Sequence, residues 1–122
     1  MTTWSAPVRY AEIDGQGVVF NAHYLTYCDE AMAQFFRDRG LSGLAADVQL
    51  VGSTLAWKSA ARWRDTVEVD VCCARIGNTS FVLEFDIRVG DRVCCHVETT
   101  YVHIDANGRP TRVPDEARAA LS

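Results

Sequence analysis

The segment from Asn21 to Gly40, NAHYLTYCDEAMAQFFRDRG, decides the fold because it has the longest helical periodicity in the chain. Its apolar residues recur at helical spacing and form one stripe: Leu25, Cys28, Met32, Phe35 and Phe36. Asn21 is a suitable N-cap, and Gly40 is a suitable stop. Because apolar side chains extend almost all round residues 31–36, we expect a helix largely enclosed by other structure.

The sequence on both sides of this helix predicts strands. Alternating or β-rich stretches and a final short helical stretch follow each other along the chain: Val8–Glu12, Val48–Ala61 (one or two strands), Thr66–Val71, Ser80–Val89, Arg92–Ile104 and the helix Pro114–Leu121. One long early helix followed by consecutive antiparallel strands is an α+β arrangement. We expect the twisted sheet to wrap round the helix within a single domain spanning residues 1–122.

Composition excludes several classes of function. Apolar residues make up 48% and charged residues 23% of the 122 residues, as in an ordinary globular protein. The net charge of -4 and the absence of a basic stripe disfavour nucleic acid and anionic membranes as partners. No apolar run approaches the roughly 20 residues of a membrane span. Residues 1–7 lack the features of a signal peptide, so we expect a cytoplasmic protein.

The five cysteines do not predict a metal or disulfide framework. Four of them form two adjacent pairs, Cys72-Cys73 and Cys94-Cys95, and the fifth is Cys28. None has the C-x2-C spacing of a zinc site, and an odd number leaves one thiol unpaired. We therefore expect these cysteines to be small buried apolar residues.

The segment before the helix, from Val8 to Leu25, carries the chemistry. Asp14 lies on a loop with Gly15 and Gly17, a few residues before the helix N-terminus, whose N–H groups are unpaired and partly positive. A carboxylate can attack a carbonyl carbon or activate water, and helix N–H groups can stabilise an oxyanion. The alternative is that Asp14 is a turn residue that caps its own backbone.

The pattern Arg-Tyr-x-Glu-x-Asp-x-x-Gly-Val-Val-Phe-Asn-x-x-Tyr-Leu-x-Tyr, from Arg9 to Tyr27, resembles the signature of the 4-hydroxybenzoyl-CoA thioesterase family. This family is a branch of the hotdog-fold acyl-CoA thioesterases and includes the Tol–Pal-associated type. Weaker similarity continues through residues 61–69, 75–81, 102–105, 108–110 and 114–116. The resemblance implies an antiparallel sheet wrapped around one long central helix. It also implies that Asp14 is catalytic, that the Asn21 amide polarises the thioester carbonyl and that Tyr10 lies near the site.

The same resemblance implies the rest of the site and its assembly. Expected substrate-binding residues lie on the loop, the helix start and two later segments: Gly17, Val18, His23, Tyr24, Arg62, Thr79 and Ser80. His23 is either a general base or a supporting residue. The family works as a homodimer, often paired into a tetramer, with the site at the subunit interface. The resemblance implies no metal and no redox cofactor.

Coenzyme A carries phosphates, for which several basic side chains are candidates: Lys58, Arg62, Arg64, Arg75 and Arg92. Some family members have a basic pair where this chain has Asn78 and Thr79, which leaves room for an acyl carrier protein thioester as substrate. The predicted reaction is hydrolysis of a short- to medium-chain or aromatic acyl-CoA.

Two other functions stay open at this point: a hotdog hydratase and a non-catalytic acyl-binding module. A hydratase needs a histidine-centred acid–base pair, and no histidine adjoins Asp14. A serine-hydrolase mechanism fails because the chain has no G-x-S-x-G motif. Trp57 and Trp63 line an acyl pocket or belong to the core or an interface.

Overall fold

The computed structural model describes residues 1–122 and contains five strands and two α-helices. Their bounds are β1 Thr2–Pro7, α1 Asn21–Asp38, β2 Val48–Trp57, β3 Thr66–Ile76, β4 Ser80–Val89, β5 Arg92–His103 and α2 Asp115–Leu121, with 3-10 turns at Tyr10–Glu12 and Ser42–Asp47. All neighbouring strands are antiparallel, in the order β1-β3-β4-β5-β2. The predicted α+β class is therefore confirmed. Neither helix has the length and apolar character that crossing a bilayer requires.

The first strand differs from its prediction. It covers Thr2–Pro7, where it pairs with β3, whereas the segment predicted as a strand, Val8–Glu12, ends in a 3-10 turn. The reason is the side chain of Glu12, which accepts a hydrogen bond from the Arg9 amide and closes a tight turn. The segment from Val48 to Ala61 supplies one strand, β2.

The long helix lies where the periodicity placed it, but its cap is different. Phe20, not Asn21, is the N-cap residue, and no side chain caps this end. Gly40 follows the helix with a φ of 70°, a left-handed conformation that glycine adopts without steric cost. Leu25, expected in the buried stripe, is 37% exposed, whereas Cys28, Phe35 and Phe36 are buried.

The core lies between α1 and one face of the sheet. The alternating residues predicted for one face of β4 are all buried: Phe81, Leu83, Phe85 and Ile87. The ring of Phe36 contacts that of Phe81 at 6.2 Å between centroids, which ties α1 to the centre of the sheet. The helical period of α1 and the two-residue period of β4 each place apolar side chains on one face, and the core forms where these two faces meet.

All five cysteines are free, and three behave as predicted. Cys28, Cys94 and Cys95 are buried, whereas Cys72 and Cys73 are partly exposed, unlike the expectation. Burial raises the pKa of the Cys28 thiol and raises that of Cys95 to about 11. Both thiols are therefore neutral near pH 7 and pack as small apolar groups.

The helix leaves one edge of the sheet open. α1 packs chiefly against β1 and β3, while β2 at the opposite edge is exposed along most of its length. Leu50 and Val51 on β2 are 46% and 57% exposed. The prediction of one long helix packed on an antiparallel sheet is confirmed. The further expectation, that the sheet wraps round this helix on all sides, stays a prediction.

Candidate functional site

The loop that carries Asp14 is a tight reversal between the 3-10 turn and α1. Ile13 and Val19 form an antiparallel bridge, the Asp14 amide donates to the Val18 carbonyl at 2.9 Å, and the Gly17 amide donates back to the Asp14 carbonyl at 3.0 Å. Gly17 has a φ of 78°, which a side chain would strain. The reversal holds Asp14 beside Val18, and Val18 lies two residues before the N-cap of the helix.

The Asp14 carboxylate has one oxygen engaged and one without a partner in this chain. Its Oδ1 accepts the Gln16 amide at 2.8 Å, so the backbone-capping turn that was the alternative for Asp14 is present. No protein group donates to its Oδ2, and the residue is half-buried. One oxygen of the carboxylate, Oδ1, therefore has a structural role, and the other, Oδ2, is available for catalysis.

The N-terminus of α1 presents unpaired donors next to this loop. The N-cap is an apolar residue, Phe20, and the first intrahelical amide to find an acceptor is that of His23, which donates to the Phe20 carbonyl at 2.9 Å. The amides of Asn21 and Ala22 have no backbone acceptor, and both residues are exposed. An uncapped helix start of this kind favours an anionic or polarised oxygen.

A cleft of about 230 Å3 opens at this helix start. Its lining comes from the loop, the first turn of α1 and the segment after β2: Val18, Val19, Asn21, Tyr24, Trp57, Lys58, Ser59 and Ala60. The structure thus brings together three predicted site residues, Val18, Asn21 and Tyr24. Asp14 and Gly17 adjoin this lining through Val18 without being part of it.

Tyr24 joins the helix to the far wall of the cleft. Its ring meets Trp57 edge-on at 6.2 Å, and its hydroxyl accepts the amide of Ala61 at 3.1 Å. Burial raises the pKa of Tyr24, so the phenol stays protonated near pH 7. The Ala61 carbonyl accepts a hydrogen bond from the Val19 amide at 2.8 Å. Ala61, in this wall, is therefore bonded both to Tyr24 of the helix and to Val19 of the loop.

Three further predicted residues lie beside the cleft. Arg62 forms a bridge with Val18, and Tyr10, which is 70% exposed, contacts Trp63 edge-on at 5.2 Å. The ring of His23 contacts Phe20 at 6.3 Å and does not line the cleft. These residues surround the loop, and none touches the Asp14 carboxylate through a hydrogen bond.

Thr79 and Ser80 lie at the other end of the sheet. Ser80 pairs with Val102 on β5, whereas Trp57 at the cleft pairs with Cys95, seven residues earlier on the same strand. At about 3.3 Å per residue this separates them by roughly 20 Å. A single chain therefore does not bring Thr79 and Ser80 into the site.

The basic candidates divide into engaged and free side chains. Arg92 donates to Ser59 Oγ and the Ala60 carbonyl, and the guanidinium of Arg64 lies over the Trp63 ring. Three side chains have no hydrogen-bond or ion-pair partner: Lys58, Arg62 and Arg75. Of these, Lys58 lines the cleft, which makes it the best-placed cation for a phosphate.

Sequence reasoning missed two polar groups near this site. Ser59 lines the cleft, and Glu12 is buried between Arg9 and Tyr27, whose hydroxyl donates to it at 2.9 Å. Glu12 stands in the pattern from Arg9 to Tyr27, but no local signal in the sequence shows that its side chain accepts a hydrogen bond from Tyr27.

Residues that could meet at a metal lie on the opposite, partly exposed face of the sheet. Potential ligand atoms of Glu84, His96 and Glu98 lie within 4.8 Å of one another. The Nδ1 atom of His96 lies 2.7 Å from Oδ1 of Asp86 on the neighbouring strand. Exposed acidic groups commonly meet in this way without an ion, and none of the three residues lines the cleft at the helix start.

Comparison with known proteins adds a family match and a set of similar folds. Residues 8–121 match the family model described as the thioesterase-like superfamily. A thioesterase from Thermus thermophilus, solved with coenzyme A and Zn, is 20% identical with a TM-score of 0.91, covering 98% of this chain and 90% of its own.

Two more solved structures show the same fold. A 1,4-dihydroxy-2-naphthoyl-CoA thioesterase from Synechocystis is 20% identical with a TM-score of 0.87, covering 98% of this chain and 93% of its own. A hypothetical protein from Thermus thermophilus is 24% identical with a TM-score of 0.90, covering 99% and 97%. At these identities the likeness establishes the fold that this chain shares with thioesterases, the expected hotdog fold.

Proposed function

This chain belongs to the thioesterase-like superfamily and is a thioester hydrolase by class, and we propose that it is a cytoplasmic acyl-CoA thioesterase in which Asp14 is the nucleophile or general base. The observation that carries the proposal is the pairing of two features across one tight loop. A carboxylate with a free oxygen lies on the loop that leads into α1, and the start of that helix has no side-chain cap. Such a pair is the minimum for acyl transfer.

Either of two chemical routes fits a carboxylate in this position. In the first, an Asp14 oxygen attacks the thioester carbon, the CoA thiolate leaves, and water then hydrolyses the mixed anhydride. In the second, Asp14 takes a proton from water, whose oxygen attacks the same carbon; the C–S bond of the tetrahedral intermediate then breaks, and the CoA thiolate leaves and takes up the proton. In both routes negative charge develops on the carbonyl oxygen, where the Asn21 amide at the helix start would stabilise it.

The substrate proposal follows from the lining of the cleft. Trp57, Tyr24 and Val18 give it an apolar wall suited to an aromatic or short- to medium-chain acyl group. Lys58 at the cleft and Arg62 beside it have free cationic side chains that suit CoA phosphates. The likeness to a 1,4-dihydroxy-2-naphthoyl-CoA thioesterase supports an aromatic substrate of the 4-hydroxybenzoyl type.

We further propose that the complete site needs a second copy of the chain. β2 is an edge strand with open backbone hydrogen-bonding groups and exposed Leu50 and Val51. Pairing two β2 strands antiparallel about a two-fold axis sets the start of one strand opposite the end of the other. The partner's Thr79–Ser80 end would then lie towards this chain's cleft, which supports their predicted role and the homodimer, with a dimer of dimers beyond it.

A thiol-release assay on a panel of acyl-CoAs tests this function. The panel should span acetyl to decanoyl chains and include benzoyl- and 4-hydroxybenzoyl-CoA, each compared with the same acyl group on a carrier protein. We expect release that is fastest for aromatic or short- to medium-chain CoA thioesters. Faster thiol release from the carrier-protein thioester would mean that the substrate is an acyl carrier protein thioester and not a CoA thioester.

A parallel hydration assay on enoyl-CoA separates the hydratase. Because the ring of His23 lies against Phe20 and outside the cleft lining, we expect no hydration. Hydration without thiol release would contradict the hydrolase, and binding of acyl-CoA with neither reaction would favour the non-catalytic module.

A further inference from the structure

Glu12 is a buried carboxylate that the proposed chemistry does not use. It is 3% exposed, and four donors reach its two oxygens: the Arg9 amide at 2.8 Å, Arg9 Nε and Nη2 at 3.0 and 2.8 Å, and the Tyr27 hydroxyl at 2.9 Å. Three of these donors belong to a residue three positions away. The fourth belongs to α1, fifteen residues further along the chain, so it is the donor that links separate elements.

The backbone of Glu12 makes a second link to the same helix. Its carbonyl accepts the amide of Phe20, the N-cap residue of α1, at 2.9 Å. Glu12 is therefore attached to α1 at its N-cap through the main chain and at its second turn through Tyr27. The loop that carries Asp14 begins at the residue after Glu12 and ends at Phe20.

We propose that Glu12 and Tyr27 are positioning residues that fix the Asp14 carboxylate relative to the N-terminal amides of α1. Asp14 is two residues from Glu12, and the Asn21 amide is one residue from Phe20, so the two links hold both reacting groups from opposite sides. Neither Glu12 nor Tyr27 lines the cleft at the helix start; both line a separate cleft beside β1, so their effect on Asp14 is transmitted through the loop. This inference rests on the proposed function of Asp14.

The consequence for catalysis comes from the sensitivity of acyl transfer to geometry. A misplacement of about 1 Å between reacting groups costs on the order of 100-fold in rate. Tyr27→Phe keeps the ring and removes only the hydroxyl, which leaves Glu12 held by Arg9 but no longer by the side chain from the helix. We expect kcat to fall by roughly 10- to 100-fold with KM changed by less than about threefold, because the cleft lining is unaltered.

Tyr101→Phe is the matched control. Tyr101 is buried like Tyr27, but its hydroxyl makes no hydrogen bond, and its ring stacks on Phe81 in the core. Tyr101→Phe therefore removes a hydroxyl from a buried ring, as Tyr27→Phe does, but breaks no hydrogen bond to Glu12. We expect its kcat to stay within about twofold of the original chain, since it leaves the loop and the helix start untouched.

Two substitutions of Glu12 give a second test. Glu12→Gln keeps an amide oxygen that accepts the Tyr27 hydroxyl and the Arg9 amide, whereas Glu12→Leu keeps neither bond. We expect Glu12→Gln to retain most of the kcat and Glu12→Leu to lose as much as Tyr27→Phe. Equal loss in both would mean that the charge of Glu12, and not its position, matters, and would overturn the inference.

The experiment combines steady-state kinetics of thiol release with hydrogen exchange at the Phe20 amide. The expected result is a kcat defect with faster Phe20 exchange in Tyr27→Phe but not in Tyr101→Phe. Unchanged kcat in Tyr27→Phe, or a change in KM alone, overturns the positioning role even if the protein hydrolyses thioesters. If the original chain releases no thiol from any substrate, the proposed function fails instead. In that case, Phe20 exchange that is no faster in Tyr27→Phe than in the original chain would show that the Glu12–Tyr27 hydrogen bond does not hold the loop, and would overturn the inference by itself.

Discussion

Replacing Tyr24 with phenylalanine removes one oxygen atom from the wall of the cleft and tests how that wall is held. The hydroxyl accepts the amide of Ala61 at 3.1 Å, and both residues are buried. Without it the Ala61 amide has no acceptor, and a buried unpaired N–H costs about 1–3 kcal/mol. The ring is unchanged, so no larger packing loss accompanies this cost.

Urea unfolding followed by tryptophan fluorescence measures the effect of Tyr24→Phe. We expect the free energy of unfolding to fall by about 2 kcal/mol with an unchanged m-value. For a domain of this size that corresponds to roughly 5–10 °C in Tm. The Ala61 carbonyl also accepts the Val19 amide, so the loosened segment should widen the cleft and raise KM.

Tyr101→Phe again serves as the control, because its hydroxyl has no hydrogen-bond partner. We expect it to lose less than about 0.5 kcal/mol. If Tyr24→Phe were no less stable than Tyr101→Phe, the Tyr24–Ala61 hydrogen bond would not hold the wall, and its expected role would be refuted.

Three further perturbations have defined outcomes. Burial raises the pKa of Glu12, but hydrogen bonds from Arg9 and Tyr27 outweigh this effect and leave the pKa below its ordinary value of 4.5. The ionised Glu12 carboxylate therefore stabilises the folded chain above pH 4.5, and this stabilisation is lost as the pH falls below 4.5. The urea midpoint of Glu12→Gln should depend less on pH in this range than that of the original chain. Leu83→Ala, at a fully buried position in β4, should cost about 2–5 kcal/mol in urea unfolding, and a cost under about 1 kcal/mol would contradict the described core. Leu50→Lys should dissociate the proposed dimer in sedimentation experiments while the circular dichroism spectrum is retained, whereas an original chain that is already monomeric would contradict the shared site.

The fold could be predicted where one period dominates the sequence. Phe81, Leu83, Phe85 and Ile87 alternate without interruption, so β4 has the predicted bounds, Ser80–Val89. β1 escaped prediction because its inward positions include only one large apolar residue, Trp4, and its stability comes from pairing with β3. Long-range pairing of this kind leaves little trace in local sequence.

The candidate site could be predicted only in part for the same reason. The segment around Asp14 contains the loop and the helix start in one run, so spacing and resemblance find them together. The Tyr24–Ala61 and Tyr27–Glu12 hydrogen bonds join residues 37 and 15 positions apart and appear only once the chain is folded. The contact between His96 and Asp86 likewise forms only when β4 and β5 pair.

The most direct test of the proposed chemistry compares Asp14→Asn with Asp105→Asn in the thiol-release assay. Asp105 accepts the amide of Asn107 at 2.8 Å, as Asp14 accepts that of Gln16 at 2.8 Å, so both substitutions keep an acceptor for the same kind of turn. Only the first removes a carboxylate beside the helix start. We predict a loss of about 10²- to 10⁴-fold in kcat for Asp14→Asn with folding intact, and no loss for Asp105→Asn. Equal rates in the two variants would contradict a chemical role for Asp14.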